Sequence, residues 1–361
     1  MGKYKNQYVF APDKRRREGG HRVRGVLLVF VPIVILLLVV TNFVVSNHVV
    51  LANVKQTILN LPEDLEQYSI LHLSDLHGAE LGDRQQAISA ALGTTRYSCV
   101  IMTGDMLGEN NDVEPLLDII NLMPADTPKY YIIGDTDGSF LDDTAHGNLS
   151  VYADWAQTLI NAGVTIVDRP LSETRGDGTI WFVPEEVYTL DLDGMESMYR
   201  ERLDEMDRRA TALTADDAAK RRVLEYQLQR MQEIRTAKET VQPEDIQVVL
   251  THTPLTEDYV QEMASYGTKE DYFSMRYAGI ILAGHYNGGQ WRLPLGGAIY
   301  VPELGWFPDD ELVVGMSYPA GIPQYISPGL GSDPHYEYQP GRIYNAPTVT
   351  LITLTRKAVS Q

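Results

Sequence analysis

The chain has 361 residues, with 49 Asp and Glu against 30 Lys and Arg, and its formal net charge is −19. Eight of the basic residues and only two of the acidic ones lie in the first 25 positions, so the remainder carries a net charge of −25. A body this acidic repels a polyphosphate backbone, which argues against nucleic acid as a partner. It does not exclude a small phosphate ester, provided that bound metal ions supply local positive charge.

Residues 26–46 are predicted to form a transmembrane helix, because positions 26–45 contain no charged residue and are long enough to cross a bilayer. The basic cluster in residues 1–25 precedes this span and predicts a cytoplasmic N-terminus. The alternative is a cleaved signal peptide, with Val-Leu-Ala at 50–52 as the cleavage site, although such peptides usually have an apolar core of roughly 7–15 residues. Both interpretations place the main domain, residues 52–356, outside a cell membrane.

Short apolar runs rich in β-branched residues follow the span, and each ends abruptly in polar residues. These runs are 68–77, 99–105, 129–135, 246–252 and 279–287, with helix-like stretches at 84–94, 113–122 and 151–162. Apolar runs without alternation are typical of strands buried on both faces, and strands alternating with helices predict an α/β layered fold. In such folds ligands gather at the carboxyl ends of the strands. The run at 348–356 is predicted to be a final edge strand.

The segment 191–245 differs from the rest because it is rich in Glu, Arg, Ala, Leu, Met and Gln. Thr214 and Asp217 resemble a helix N-cap pair, and apolar residues recur at helical spacing between 224 and 234. We predict two helices that form an antiparallel hairpin inserted into the α/β domain. Three roles remain open for this insertion: a charged spacer, a cap over the site, or an arm that binds a protein partner.

Acidic or imidazole side chains stand at the ends of all five predicted strands. In chain order they are Asp75 and His77, Asp105, Asp135 and Asp137, His252, and His285 with Asn287 nearby. Such groups repel one another or lose solvation when they converge, unless a divalent metal binds them. Two ions about 3.5–4 Å apart, bridged by a carboxylate, are the usual arrangement for metal-assisted hydrolysis.

The order of these motifs, D-x-H, G-D, G-N-H-D, H and G-H-x-H, resembles that of calcineurin-like metallophosphoesterases. The sequence resembles in particular the membrane-anchored or exported bacterial phosphodiesterases of this family, through 61–78 (LPEDLEQYSILHLSDLHG), 283–294 (AGHYNGGQWRLP) and 325–354. The resemblance covers about residues 54–356 apart from the insertion. It implies an α/β two-sheet sandwich flanked by helices.

The same resemblance implies two divalent ions, which would be Mn, Fe, Zn or Mg. Asp75 and His77 match ligands of the first metal, and Asp105 matches the carboxylate that bridges both metals. His252 and His285 match ligands of the second metal. These five residues are the part of the family pattern that this sequence retains.

Three positions depart from the pattern. Asp135 stands where the family has Asn, and its carboxylate binds a cation more strongly. Asn287 replaces the last His and suits zinc less well than imidazole does, so occupancy of the first metal site is predicted to be weak. Thr136 replaces the His that acts on the leaving group, and because threonine has no accessible proton near neutral pH, that role is vacant. His146 is either a substitute acid or a solvated loop residue.

Two functions remain open. The first is a phosphoesterase at the outer membrane face that hydrolyses a phosphomonoester or phosphodiester, with Asp105 and Asp137 as catalytic residues. Because the protein is anchored in the membrane, its substrate could be linked to a lipid. The second is a catalytically inactive descendant that acts as a binding or assembly module through its helical insertion. The retained ligands favour the first function, and the replacements at Thr136 and Asn287 favour the second.

Overall fold

The computed structural model of the protein describes residues 14–144, 150–209, 214–266, 271–333 and 341–356. The chain divides into two compact units, Met1–Val45 and Ser46–Gln361. Residues 1–13 of the predicted basic segment, and His146, lie outside the described residues. Among the described residues, the helices are α1 (Lys14–Ser46), α2 (Gln86–Leu92), α3 (Glu114–Asn121), α4 (Asp154–Asn161), α5 (Leu192–Arg209), α6 (Ala215–Thr240) and α7 (Glu257–Ser265).

Helix α1 contains the predicted membrane span. Its segment Leu27–Ser46 has 20 residues and a mean hydropathy of 3.0, and none of its hydrophobic window is buried. By length and composition this helix meets the requirement for crossing a bilayer, as signal sequences near an N-terminus also do. Pro32 lies inside the helix, which is compatible with a membrane span.

The second unit contains two six-stranded sheets. The first has the order β1-β14-β2-β3-β4-β5 and the second has the order β12-β13-β9-β8-β7-β6, while β10 and β11 form a separate pair. The strands are β1 (Val50–Ile58), β2 (Ser69–Leu73), β3 (Cys99–Thr103), β4 (Lys129–Ile132), β5 (Val164–Ile166), β6 (Leu171–Arg175), β7 (Gly178–Pro184), β8 (Ile246–Leu250), β9 (Ala278–Ala283), β10 (Tyr300–Val301), β11 (Gly305–Trp306), β12 (Gly315–Ser317), β13 (Gln324–Ile326) and β14 (Thr348–Arg356).

The main core lies between the two sheets, because alternate residues of each central strand point to opposite faces. Ile70 and Ile101 of the first sheet pack with Phe182 and Val248 of the second, and all four are fully buried. The other face of the first sheet packs on helices α2, α3 and α4 in a separate cluster. The predicted two-sheet α/β sandwich flanked by helices is therefore confirmed.

The prediction that 348–356 is an edge strand was wrong. Strand β14 lies between β1 and β2, with all nine of its residues in parallel register with β1, from Val50↔Thr348 to Ile58↔Arg356. Strand β1 was not predicted, because its second half is mostly polar and its start coincides with the proposed cleavage site at 50–52. Cleavage there would remove the first three residues of a paired strand.

Helices α5 and α6 occupy most of the insertion and lie antiparallel. Asp193 near the start of α5 pairs with Arg235 near the end of α6 at 2.7 Å. Thr214 and Asp217 cap α6 as predicted, with the Asp217 N–H donating to Thr214 Oγ1 (3.1 Å) and the Thr214 N–H donating to Asp217 Oδ2 (3.0 Å). The hairpin packs on the domain through a cluster that includes Tyr199 and Met231.

Candidate metal centre

The loops that follow the central strands carry most of the predicted ligands, and their backbone turns sharply there. The Asp75 N–H donates to the Gly104 carbonyl at 3.0 Å, and the His77 N–H donates to the Asp105 carbonyl at 2.9 Å. A positive φ is rare for residues other than glycine, and strained residues of this kind cluster at functional sites. The predicted ligands with positive φ are Asp75 (53°), His77 (48°), Asp105 (54°), His285 (76°) and Asn287 (49°).

The first group of candidate ligands contains Asp75, His77 and Asp105, whose ligand atoms all lie within 4.8 Å of one another. Asn287 lies beside them, with its Nδ2 3.4 Å from His77 Nε2. Asp75 Oδ2 and Asn287 Oδ1 are buried, and neither has a hydrogen-bond partner among the described residues. Buried oxygens without partners are costly unless a ligand binds them, so these two atoms suit a bound cation.

The second group contains Asp105, His252 and His285. His252 Nε2 lies 3.2 Å from Asp105 Oδ2 and 3.2 Å from His285 Nδ1. Asp135 adds its Oδ2 at 3.3 Å from His285 Nδ1, although 64% of its side chain is exposed. Asp105 belongs to both groups, and this is the position a bridging carboxylate requires.

Hydrogen bonds from surrounding backbone orient these side chains. His252 Nδ1 donates to the Thr103 carbonyl at 2.8 Å, so Nε2 is the atom that would bind a metal once its own proton has left. The Thr136 N–H donates to Asp105 Oδ1 at 2.8 Å, and the His285 N–H donates to Asp75 Oδ1 at 2.8 Å. Each carboxylate is thus held by one oxygen, which leaves the other available to the cluster.

The electrostatics of the cluster show that it needs positive charge. Burial raises the pKa of Asp75 above its ordinary value. Burial opposes protonation of His252, but the hydrogen bond to Asp105 and the charge of Asp75 outweigh it and raise the pKa of His252 to about 10. Burial also raises the pKa of Asp105, yet His252 and the Thr136 amide outweigh it and hold that pKa below its ordinary value. A divalent cation would replace this histidine proton, and carboxylate and imidazole are suitable donors for one.

Two glycines allow the loops to approach so closely. A Cβ at Gly134 would lie 2.2 Å from Asp105 Oδ1, and a Cβ at Gly104 would lie 2.6 Å from His252 Nδ1. Either contact would displace a candidate ligand. The glycines of the G-D motifs are therefore required by the space between neighbouring strand ends.

Residues 68–286, more than half of the chain, match the family model described as calcineurin-like phosphoesterase. The chain belongs to the calcineurin-like phosphoesterase family. Members of this family use divalent metals, and the candidate ligand groups of this chain comprise Asp75, His77, Asp105, His252 and His285. No curated protein sequence matches the chain.

Two solved structures of low similarity accompany the family match. Phosphopantetheinyl hydrolase from Mycobacterium tuberculosis is 16% identical with a TM-score of 0.35, and the match covers 73% of this chain and 91% of that chain. A candidate 5′-nucleotidase from Staphylococcus aureus, in complex with alpha-ketoglutarate, is 12% identical with a TM-score of 0.32, and the match covers 81% of this chain and 55% of that chain. The family model, rather than these structures, identifies the family.

Asp137, predicted to be catalytic, accepts hydrogen bonds on both of its carboxylate oxygens in this calcineurin-like phosphoesterase. Its Oδ2 accepts hydrogen bonds from the Asp105 N–H (2.8 Å), the Gly134 N–H (2.8 Å) and the Tyr131 hydroxyl (2.6 Å). Its Oδ1 accepts from the Leu107 N–H at 3.2 Å. Both oxygens are thus engaged by backbone amides and the Tyr131 hydroxyl, which favours a positioning role for Asp137 over the predicted catalytic one.

Replacing Asp137 by Asn is expected to lower the free energy of unfolding by about 2–3 kcal/mol, because an amide nitrogen cannot accept hydrogen bonds and the charge that strengthens them is lost. Urea denaturation of the full chain would measure this change. The matched control is Asp143→Asn, since Asp143 is exposed and lies in the same loop. Equal stability of the two variants would contradict the positioning role of Asp137.

Thr136 was predicted to replace the leaving-group histidine of the family. Its backbone N–H binds Asp105, as described, and its side chain lines a cavity of about 640 Å³ together with His77 and Asn111. The hydroxyl supplies no proton near neutral pH. His146, the substitute acid considered from the sequence, lies outside the described residues.

Two residues of the site could not be found from the sequence. Glu303 Oε1 lies 3.6 Å from His285 Nε2, and Asn345 Nδ2 donates to the Asn287 carbonyl at 2.7 Å. Both residues come from the loop-rich tail, where no strand or helix pattern indicates which side chains turn towards the site.

Proposed function

We propose that the chain is a metal-dependent phosphoesterase that hydrolyses phosphomonoesters or phosphodiesters. The observation that carries this proposal is that two groups of candidate metal ligands share one buried carboxylate, that of Asp105. Family membership supports the same reaction class. The arrangement suits a reaction in which two ions act on one phosphoryl group.

The proposed first site consists of Asp75, His77, Asp105 and Asn287. The proposed second site consists of Asp105, Asp135, His252 and His285. When bound, the two ions polarise the phosphoryl oxygen and lower the pKa of water. The amide oxygen of Asn287 favours a hard ion such as Mn²⁺ or Mg²⁺ at the first site, and it makes that site the weaker one.

The residues of the chain have separate tasks in this reaction. Asp105 holds the two ligand groups together, and the Thr103 carbonyl keeps the His252 ring in the orientation that binds a metal. Neither Thr136 nor Asp137 transfers a proton to the leaving alcohol. We therefore infer that the protein acts best on esters whose leaving group departs without protonation.

We propose that the N-terminus is cytoplasmic and that the main domain lies at the outer face of a cell membrane. The cluster of Lys and Arg before the apolar span supports this orientation. Strand β1 begins at Val50, only four positions after helix α1 ends at Ser46. We infer from this anchor that the substrate is a lipid-linked phosphate ester.

The alternative is an inactive protein that binds a partner through its helical insertion. The replacements at Thr136 and Asn287 favour this alternative, as does the exposed charged surface of helix α5. It predicts a folded chain that hydrolyses no ester with any metal. The retained ligand groups make it the weaker proposal.

The test is to purify the full chain in detergent and to assay an aryl phosphomonoester and a bis-aryl phosphodiester with Mn²⁺, Mg²⁺, Zn²⁺ or Fe²⁺. We expect hydrolysis that requires added metal and ceases with a chelator. At a free Mn²⁺ concentration about 100 times the Kd, linkage predicts a gain of about 2.7 kcal/mol, or roughly 5 °C in Tm. No hydrolysis, no shift in Tm and less than one bound ion per chain would together refute the proposal.

A further inference from the structure

Strand β1, the first strand after the apolar helix, begins at the edge of the first sheet that carries the candidate metal ligands. Strands β1 and β14 are parallel, and β14 runs antiparallel to β2, with Thr350 opposite His72. The start of β1 therefore lies at the end of β2 that leads to Asp75. There the Val50 N–H donates to the Pro347 carbonyl at 2.9 Å. The chain thus enters the domain on the side where the metals would bind.

A short hairpin formed by β10 and β11, residues 300–307, lies on the same side and is called here the aromatic hairpin. Its turn places Glu303 Oε1 3.6 Å from His285 Nε2. Val301 is fully buried in the cluster that also contains Tyr286, the neighbour of His285 in the chain. The aromatic hairpin is thus packed against one of the loops that carry candidate ligands.

The aromatic hairpin exposes two large apolar side chains to solvent. Trp306 is 70% exposed and Phe307 is 65% exposed. The Trp306 ring lies 5.0 Å from the ring of Tyr300 and 6.2 Å from that of Phe307, so the three rings form one patch. The φ of Phe307 is 51°, which is unfavourable for a bulky residue, and yet its ring stays largely outside the core. Grouped exposed apolar side chains of this kind mark surfaces that bind a partner.

The partner that fits this patch is the interface between lipid and water. Trp and Tyr are enriched at membrane interfaces, where their rings lie at the level of the headgroups. Helix α1 ends at Ser46 and β1 begins at Val50, so the connection spans roughly 14 Å at most when it is fully extended. Residues 309–311 beside the aromatic hairpin are all acidic, which argues against attraction to anionic headgroups. Apolar insertion of the rings is therefore the source of affinity.

We propose that the aromatic hairpin is a membrane-binding surface, which inserts Trp306 and Phe307 among lipid headgroups and holds the candidate metal centre at the lipid interface. A phosphate ester linked to a lipid then reaches the metal ligands without leaving the bilayer. This inference rests on the membrane span proposed above and does not require that the protein hydrolyse an ester.

The test places the full chain in discs of a zwitterionic phospholipid whose acyl chains are brominated near the headgroup, with discs of the unbrominated lipid as the reference. Bromine quenches the fluorescence of a tryptophan only at close contact. The chain has four tryptophans, of which Trp306 is the most exposed: Trp155, Trp181, Trp291 and Trp306. We expect the brominated lipid to quench the wild-type chain, and Trp306→Phe to remove most of this quenching.

The matched control is Trp181→Phe, since Trp181 is buried in strand β7 of the second sheet. This control should be quenched by the brominated lipid as strongly as the wild type. Absence of quenching in the wild-type chain, or equal quenching in Trp306→Phe, would overturn the proposal. Neither result depends on catalysis, so the membrane-binding surface and the proposed hydrolysis can fail separately.

A second readout compares two phosphodiesters with the same aryl leaving group, one esterified to a diacylglycerol within the disc and the other to methanol in solution. In a chain that carries both Trp306→Ser and Phe307→Ser, kcat/KM for the lipid-linked ester should fall about tenfold relative to that for the soluble ester, the effect of losing roughly one apolar side-chain contact. An unchanged ratio would overturn the proposal. If the wild-type chain hydrolyses neither ester, the proposed function fails and the fluorescence measurement alone decides the role of the aromatic hairpin.

Discussion

Replacing Asp105 by Asn is expected to abolish hydrolysis and to reduce binding at both metal sites. Asp105 Oδ2 lies 3.2 Å from His252 Nε2 and 3.9 Å from His77 Nε2, so one oxygen is close to both ligand groups. An amide retains the hydrogen bond from the Thr136 N–H but removes the charge that two cations would share. Loss of several kcal/mol of charge stabilisation corresponds to a decrease in kcat of at least about a thousandfold.

The measurement combines kcat with the metal content of the dialysed protein. The control is Asp154→Asn, since Asp154 is an exposed carboxylate at the start of helix α4 and lies outside both ligand groups. We expect the control to keep about the wild-type rate and metal content. An Asp105→Asn variant that binds two ions and retains more than a tenth of the activity would show that the two sites do not depend on a shared carboxylate.

Restoring the family histidine through Thr136→His is expected to raise kcat about a hundredfold for esters with an alkyl leaving group. A positioned general acid typically contributes about 10²–10⁴-fold, and the lower end suits an acid that the surrounding loop has not been shaped to hold. For aryl esters, whose leaving group departs without a proton, we expect little change. The cavity of about 640 Å³ beside Thr136 leaves room for the larger ring.

The Thr136→Ala variant tests whether the Thr136 hydroxyl takes part in the reaction at all. If the Thr136 hydroxyl takes no part, the alanine variant should hydrolyse aryl and alkyl esters at about the wild-type rates. A loss of more than tenfold in Thr136→Ala would mean that the hydroxyl contacts the substrate. The ratio of alkyl to aryl rates is the decisive quantity, because a general change in folding would affect both substrates alike.

The ligand positions could be anticipated from the sequence because they depend on local pattern and on one rule of topology. Strands β2, β3 and β4 are parallel neighbours, so their carboxyl ends meet at one edge and bring Asp75, Asp105 and Asp135 together. The same rule applies to β8 and β9, which carry His252 and His285. A run of apolar residues that ends in Asp or His was therefore sufficient to identify each position.

Other features could not be anticipated because they depend on contacts between distant segments. The role of Asp137 follows from which amides lie behind it, and the sequence alone does not distinguish a carboxylate that faces a metal from one that faces the backbone. The place of helix α6 beside the cavity that Asp135 and His252 line depends on how the insertion packs. The pairing of β1 with β14 joins residues almost 300 positions apart, as the contact between Thr57 and Thr355 shows (a separation of 298).

The pairing of β1 with β14 also determines when the domain can be completed during synthesis. Strand β1 is among the first segments to follow the apolar helix, and its neighbour is made only with the last residues of the domain. Until then β2 lacks its antiparallel partner, since β14 pairs with β2 from Thr350↔His72 to Thr353↔Ser69. Contacts of such high sequence separation form slowly. The growing chain must therefore expose this edge of its first sheet until residues 348–356 have been made, when β14 closes the edge and joins the two ends of the domain.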